Sequence, residues 1–168
     1  MKKILVINLG STSTKVAYYE DTTCIKKENL ICSPEELKQF PTIWDQLDYR
    51  TEAIKTFLAE RGIRPAELSA VVSRGGHTHP LCGGTYLINE EMLEESFSGV
   101  YGNHACDLGL KIAYAFSETG PMPLTANPPV TDEFEPLARF SGLPEMPRRS
   151  SFHALNHKAV AQRYAKDT

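Results

Sequence analysis

The sequence predicts an α/β or α+β layered domain, and three observations carry that prediction. Short apolar strand-like runs lead the chain, helical spacings mix with further short runs after them, and 168 residues suffice for one core of ordinary size. Ile4 to Ile7 is a branched apolar run and Val16 to Glu20 a second strand-like segment, with turn-forming residues between, so a hairpin opens the chain. Cys24 to Ile31 reads as a third strand. Ser33-Pro34-Glu35-Glu36 then offers an N-cap, a proline at the first helical position and acids in the first turn, which starts a short helix.

From about Asp45 to Arg61, Leu47, Ile54, Phe57 and Leu58 recur at helical spacing, and Gly62 stops the helix. Ala70-Val71-Val72 is a brief buried strand whose end delivers Arg74-Gly75-Gly76. Asn89 caps a helix through Glu90 to Glu95. A further helix from about His104 to Phe116 presents Leu108, Ile112 and Ala115 on one side before Gly120. Prolines are dense from Pro121 to Pro147, with a short helix expected near Glu135 to Phe140, and a last helix spans Phe152 to Ala165.

The balance of 18 basic and 21 acidic residues leaves a formal charge of -3, so no general attraction to nucleic acid or anionic membrane is expected and any anion site is local. The four cysteines are dispersed without a CxxC pair, which points to free thiols in a reducing compartment rather than a zinc ribbon. No apolar stretch approaches the ~20 residues that cross a bilayer. A cytoplasmic, soluble protein is the expectation.

The stretch NLGSTSTK, Asn8 to Lys15, holds what a phosphate site needs: a glycine that lets backbone approach, hydroxyls and an ammonium group. It is not a P-loop, because no glycine directly precedes Lys15 and VAYYE after it reads as strand. Two readings remain at this point. In one, Ser11, Ser13 and Lys15 alternate along an extended segment and share a face; in the other, the stretch is a solvated polar turn.

Arg74, at a strand end beside two glycines, suits a forked grip on carboxylate or phosphate. Asp132 in TDEF can orient a metal ion or a nucleophile, or cap the short helix after it. His153 and His157 have i, i+4 spacing, but the glutamate of a zinc HExxH motif is absent. His77 and His79 are expected to be exposed, and His104 stands at a helix start.

Together, ILVINLGSTSTK, VVSRGGHTHPLCGGTYLINEEML, NHACDLGLKIAYAF and DEFEPLARFSGLPEMPRRSSFHALNHKAVAQRYA resemble the butyrate kinases, relatives of acetate kinase in the acetate and sugar kinase, chaperone and actin superfamily. The resemblance spans essentially the whole chain. It implies a ribonuclease H-like domain of mixed sheet and flanking helices, and ATP-dependent phosphorylation of a short-chain carboxylate to an acyl phosphate. It places Asn8, Gly10, Ser11, Ser13 and Lys15 in a hairpin facing the phosphates of ATP or ADP. Arg74, His104, Asp132 and His153 fall around the transferred group, with Asp132 on the side of Mg2+.

Two departures matter. The family's GRGG reads SRGG here, and the HTHPLCGG that follows carries two histidines and a cysteine where apolar residues are usual. These kinases are also two-lobed and longer, so residues 1–168 are expected to be an N-terminal lobe whose C-terminal lobe is missing, inactive alone and able to form a homodimer. A noncatalytic assembly module and a sugar kinase relative are the alternatives, the FHALNHK segment favouring the carboxylate branch.

Overall fold

The computed structural model describes residues 1–151 and 153–168. Alternation builds the first layer. In β1 (Lys3–Leu9) the side chains of Leu5, Ile7 and Leu9 are buried, and in β2 (Ser13–Glu20) those of Thr14, Val16 and Tyr18. The two strands pair antiparallel, so both apolar rows fall on one face. β3 (Thr23–Ile31) pairs with β2 and forms an edge, and its central Lys26 and Lys27 oppose association with another sheet.

Three more strands complete a six-stranded sheet ordered β3-β2-β1-β4-β6-β5. β4 (Ala70–Ser73) lies parallel to β1, β6 (Met122–Ala126) parallel to β4, and β5 (Thr85–Leu87) antiparallel to β6. The sequence reading contained neither β5 nor β6. β5 is very short, and Pro123 argues against a strand in MPLTA; the structure accommodates it because its carbonyl still accepts from Ile88 N at 3.0 Å.

Helices α2 (Leu47–Ala59) and α4 (Leu108–Phe116) cover the buried face. Ile54, Phe57 and Leu58 of α2 meet Leu5, Ile7 and Val71 of the sheet and Leu108, Ile112, Ala113 and Phe116 of α4 in one core. Ala115, expected on that side, is exposed, because the stripe turns through Ala113 and Phe116. α1 (Pro34–Leu37) has the anticipated cap in full: Ser33 Oγ accepts from Glu36 N at 3.2 Å and Glu36 Oε2 from Ser33 N at 3.0 Å. α3 (Glu90–Ser98) begins at Asn89, whose side chain accepts from Met92 N.

The opposite face carries Val6 and Val72, and α5 (Ala154–Asp167) enters over them with Leu155 and Ala159. Phe152, where the sequence places the start of that helix, lies outside the described residues.

Gly75 fixes how β4 meets the segment before α4. A Cβ there would lie 1.8 Å from the Cys106 carbonyl oxygen, a backbone atom that no rotamer change can move. Gly75→Ala is therefore expected to destabilise the fold by about 3 kcal/mol, read from the midpoint of urea unfolding. A midpoint within error of wild type would mean that the loop and α4 are not in this contact.

Candidate functional site

The parallel strands β1, β4 and β6 end on the same side of the sheet, and the loops leaving them carry the polar residues that the sequence singles out. This is where open α/β sheets hold ligands. Register sets the first pair: Asn8 lies directly opposite Lys15, on the face away from α2 and α4, with Ser13 on the same side of β2 as Lys15. Ser11 departs from the expected row. β2 starts only at Ser13, and the turn before it is closed by Gly10 N donating to Ser13 O at 2.8 Å.

Ser11 instead meets His104, its Oγ 3.1 Å from Nε2. The other ring nitrogen, Nδ1, accepts from Cys106 N at 3.2 Å and so carries no proton, which leaves the proton on Nε2 and makes the imidazole the donor to Ser11. His104 also caps the helical turn Ala105–Asp107, its own N–H donating to Asp107 Oδ2 at 2.8 Å.

Two residues that organise the site were not anticipated. Asp107 is completely buried; besides His104 N, it accepts through Oδ1 from His77 N at 2.9 Å and His77 Nδ1 at 2.8 Å. It thus ties the loop after Arg74 to the segment holding His104 against Ser11. The signal was available in HACD, where an acid three residues after a cap is a capping box.

The second is Arg50, also completely buried. Its guanidinium donates to the carbonyls of Gly10 (2.9 Å), Ser11 (3.0 Å) and Ser13 (3.3 Å), to Thr14 Oγ1 (3.2 Å) and twice to Gln46 Oε1. The signal was an arginine standing in the i, i+4, i+7, i+8 stripe with Ile54, Phe57 and Leu58.

His77 is half-buried rather than exposed, because Asp107 draws it inward and Gly102 lies against its ring. The hydrogen bond to Asp107 is the main cause of an imidazole pKa raised to about 10. A group raised on folding favours the folded state fully below its unfolded value, near 6.5, and that contribution fades as pH rises toward 10. The stability difference between wild type and His77→Gln should therefore shrink between pH 6.5 and 10. Unfolding free energies measured across that interval test it; a difference independent of pH would contradict the ion pair.

Arg74 and His153 line one cavity of about 260 Å³ with Val6, Val72, Ala126 and Asn127. No hydrogen bond or ion pair engages the Arg74 guanidinium among the described residues. Burial first, and then the Arg74 cation, push the His153 imidazole below its usual value, so it is neutral at neutral pH. Its Nδ1 is shielded and has no hydrogen-bond partner among the described residues. Among the described residues the pocket thus combines an unpaired guanidinium with a neutral imidazole whose Nδ1 has no hydrogen-bond partner, a pairing that suits an anion with several oxygens.

Asp132 is not in that pocket. Its carboxylate is held in a fork by Arg139, Nη1 to Oδ2 at 2.9 Å and Nη2 to Oδ1 at 3.1 Å, which draws its pKa down. One carboxylate with both oxygens committed to a guanidinium does not fit a magnesium site, whose metal needs several oxygens free to bind. In this conformation Arg139 holds both oxygens that a metal role for Asp132 would use. Among the described residues, the cluster with metal-type donors is His77, Cys106 and Asp107, whose nitrogen and carboxylate are engaged with each other. No helix among the described residues is long and apolar enough to cross a membrane.

No family model matches the sequence. Among curated proteins, "Probable butyrate kinase 2" of Caldanaerobacter subterraneus subsp. tengcongensis is 48% identical over 168 residues, which cover 99% of this chain and 48% of that protein. Butyrate kinase 2 of Clostridium acetobutylicum is 46% identical over 167 residues, 99% of this chain and 47% of its own length. A propionate kinase structure from Francisella tularensis superposes with a TM-score of 0.65 at 18% identity, over 99% of this chain and 49% of that one, and shows the shared fold. The chain spans about half the length of the curated relatives it matches. By sequence it is similar along essentially its whole length to the butyrate kinases, and it matches about half of each such protein.

Proposed function

We propose that this chain is the N-terminal lobe of a kinase that phosphorylates a short-chain carboxylate, butyrate or a close relative, using ATP. The observation that carries the reading is the Arg74 guanidinium, unpaired in a cavity beside His153 at the ends of the parallel strands. The 46–48% identity to butyrate kinases along the whole chain supports it.

In the proposed reaction an oxygen of the substrate carboxylate attacks the terminal phosphorus of ATP, the bond from phosphorus to the bridging oxygen breaks, and ADP leaves with that electron pair. The nucleophile is already an anion, so no general base is needed; positioning and charge stabilisation do the work. The amides and hydroxyls of the Ser11–Ser13 turn and the exposed Lys15 ammonium face the phosphates. His104 holds the Ser11 hydroxyl from behind through Nε2–H. Arg74 grips the carboxylate or the transferring group, and the neutral His153 offers a hydrogen bond to the phosphoryl oxygens without adding charge. Magnesium accompanies ATP in such reactions, and no residue of this chain is assigned to it.

One lobe supplies only part of the contacts to the transition state, so the chain alone is expected to be a poor kinase. A chimera in which it replaces the matching half of Clostridium acetobutylicum butyrate kinase 2 tests the reading. Trapping acyl phosphate as hydroxamate should show ATP-dependent turnover of butyrate; a chimera that melts cooperatively yet turns over no short carboxylate would refute it.

A further inference from the structure

Arg50 is a fully buried cation whose hydrogen-bond acceptors are all neutral oxygens, from Gln46, the Gly10, Ser11 and Ser13 carbonyls and the Thr14 hydroxyl. No carboxylate pairs with it among the described residues. A buried charge normally has a counterion, and here none stands on the protein side.

The geometry of the peptide gives this arrangement a direction. In a trans peptide the C=O and the following N–H point to opposite sides. Drawing the Gly10 and Ser11 carbonyls in toward Arg50 therefore turns the Ser11 and Thr12 N–H groups outward. Neither amide donates to another group among the described residues. Successive free amides in a turn make an anion-binding concavity. The guanidinium lies one peptide layer behind them, where water does little to screen it.

We infer that Arg50 is a positioning residue for the phosphate loop: from the core it fixes the turn so that the Ser11 and Thr12 amides face a phosphate group, and its charge is balanced when that phosphate binds. The inference rests on reading NLGSTSTK as the phosphate-facing stretch. It gives the loop, which lacks a helix N-terminus, a different source of fixed positive potential.

Inorganic pyrophosphate is a suitable probe, because it needs no adenosine contacts. It is titrated into the 15N-labelled chain, wild type and two variants, with amide shifts as the readout. In wild type the Ser11 and Thr12 amides should move. Arg50→Met should weaken binding by about tenfold or more, and Arg50→Lys should recover part of the loss, restoring the charge but not the forked contacts. Two folded variants that bind as wild type does, or that lose affinity equally, would overturn the role. Should neither variant fold, Gln46→Leu removes the anchor of the guanidinium; weaker binding supports the role and unchanged binding overturns it. A wild-type titration that leaves Ser11 and Thr12 unmoved overturns the phosphate reading and the inference together, whereas normal wild-type binding with unaffected variants overturns only Arg50.

Discussion

Asp107→Ala should cost about 3 to 5 kcal/mol of stability, because it deletes the acceptor shared by three buried or half-buried donors and leaves the His77 imidazolium unpaired. The loss is more than one hydrogen bond. Asp107 joins the loop after β4 to the helical turn that presents His104, so both would be released at once. Asp107→Asn keeps an oxygen for one backbone N–H but removes the charge, and it should lie between Asp107→Ala and wild type. Urea denaturation of the three proteins measures the series. A cost below about 1 kcal/mol for the alanine variant would mean that the two loops are held by packing alone.

Arg74→Ala in the chimera should lower turnover of butyrate by about 10²- to 10³-fold, the usual effect of removing a preorganised group aimed at charge in the transition state. The size follows from the pocket. Among the described residues Arg74 has no partner to release, so its hydrogen-bonding capacity is available to a ligand. The fold should barely change, since Arg74 holds its place through its backbone, Arg74 N donating to Ile7 O at 3.2 Å. Kinetics at saturating ATP with butyrate varied give the comparison. Unchanged turnover in the folded variant would remove Arg74 from the chemistry.

The strands and helices that the sequence revealed were those with local signals: the hairpin from two short apolar runs around turn residues, α1 from its N-cap, proline and first-turn acids, α2 from its stripe. β5 and β6 were hidden because their stability is tertiary. Thr85–Leu87 has almost no pattern of its own, and Met122–Ala126 contains a proline that only the pairing around it makes acceptable. The site divides the same way. Arg74, His104 and the hairpin residues stand in short motifs whose residue types suggest anion chemistry. Arg50 and Asp107 act across the fold, Arg50 reaching the turn from α2 and Asp107 joining two loops, so their roles depend on contacts that no local spacing encodes. The partner of Asp132 was hidden for a similar reason: Arg139 comes from the next helical turn and engages a carboxylate that reads as available in the sequence.

We propose that the turn holding Ser11 and the cavity holding Arg74 are two parts of one phosphoryl-transfer site. Butyryl phosphate joins the two ligand chemistries in one molecule, so its titration into the labelled chain distinguishes one site from two. The Ser11 and Thr12 amides and the Arg74 and His153 side-chain resonances should move together along one binding curve. Separate curves for the two sets, or movement of one set alone, would contradict it.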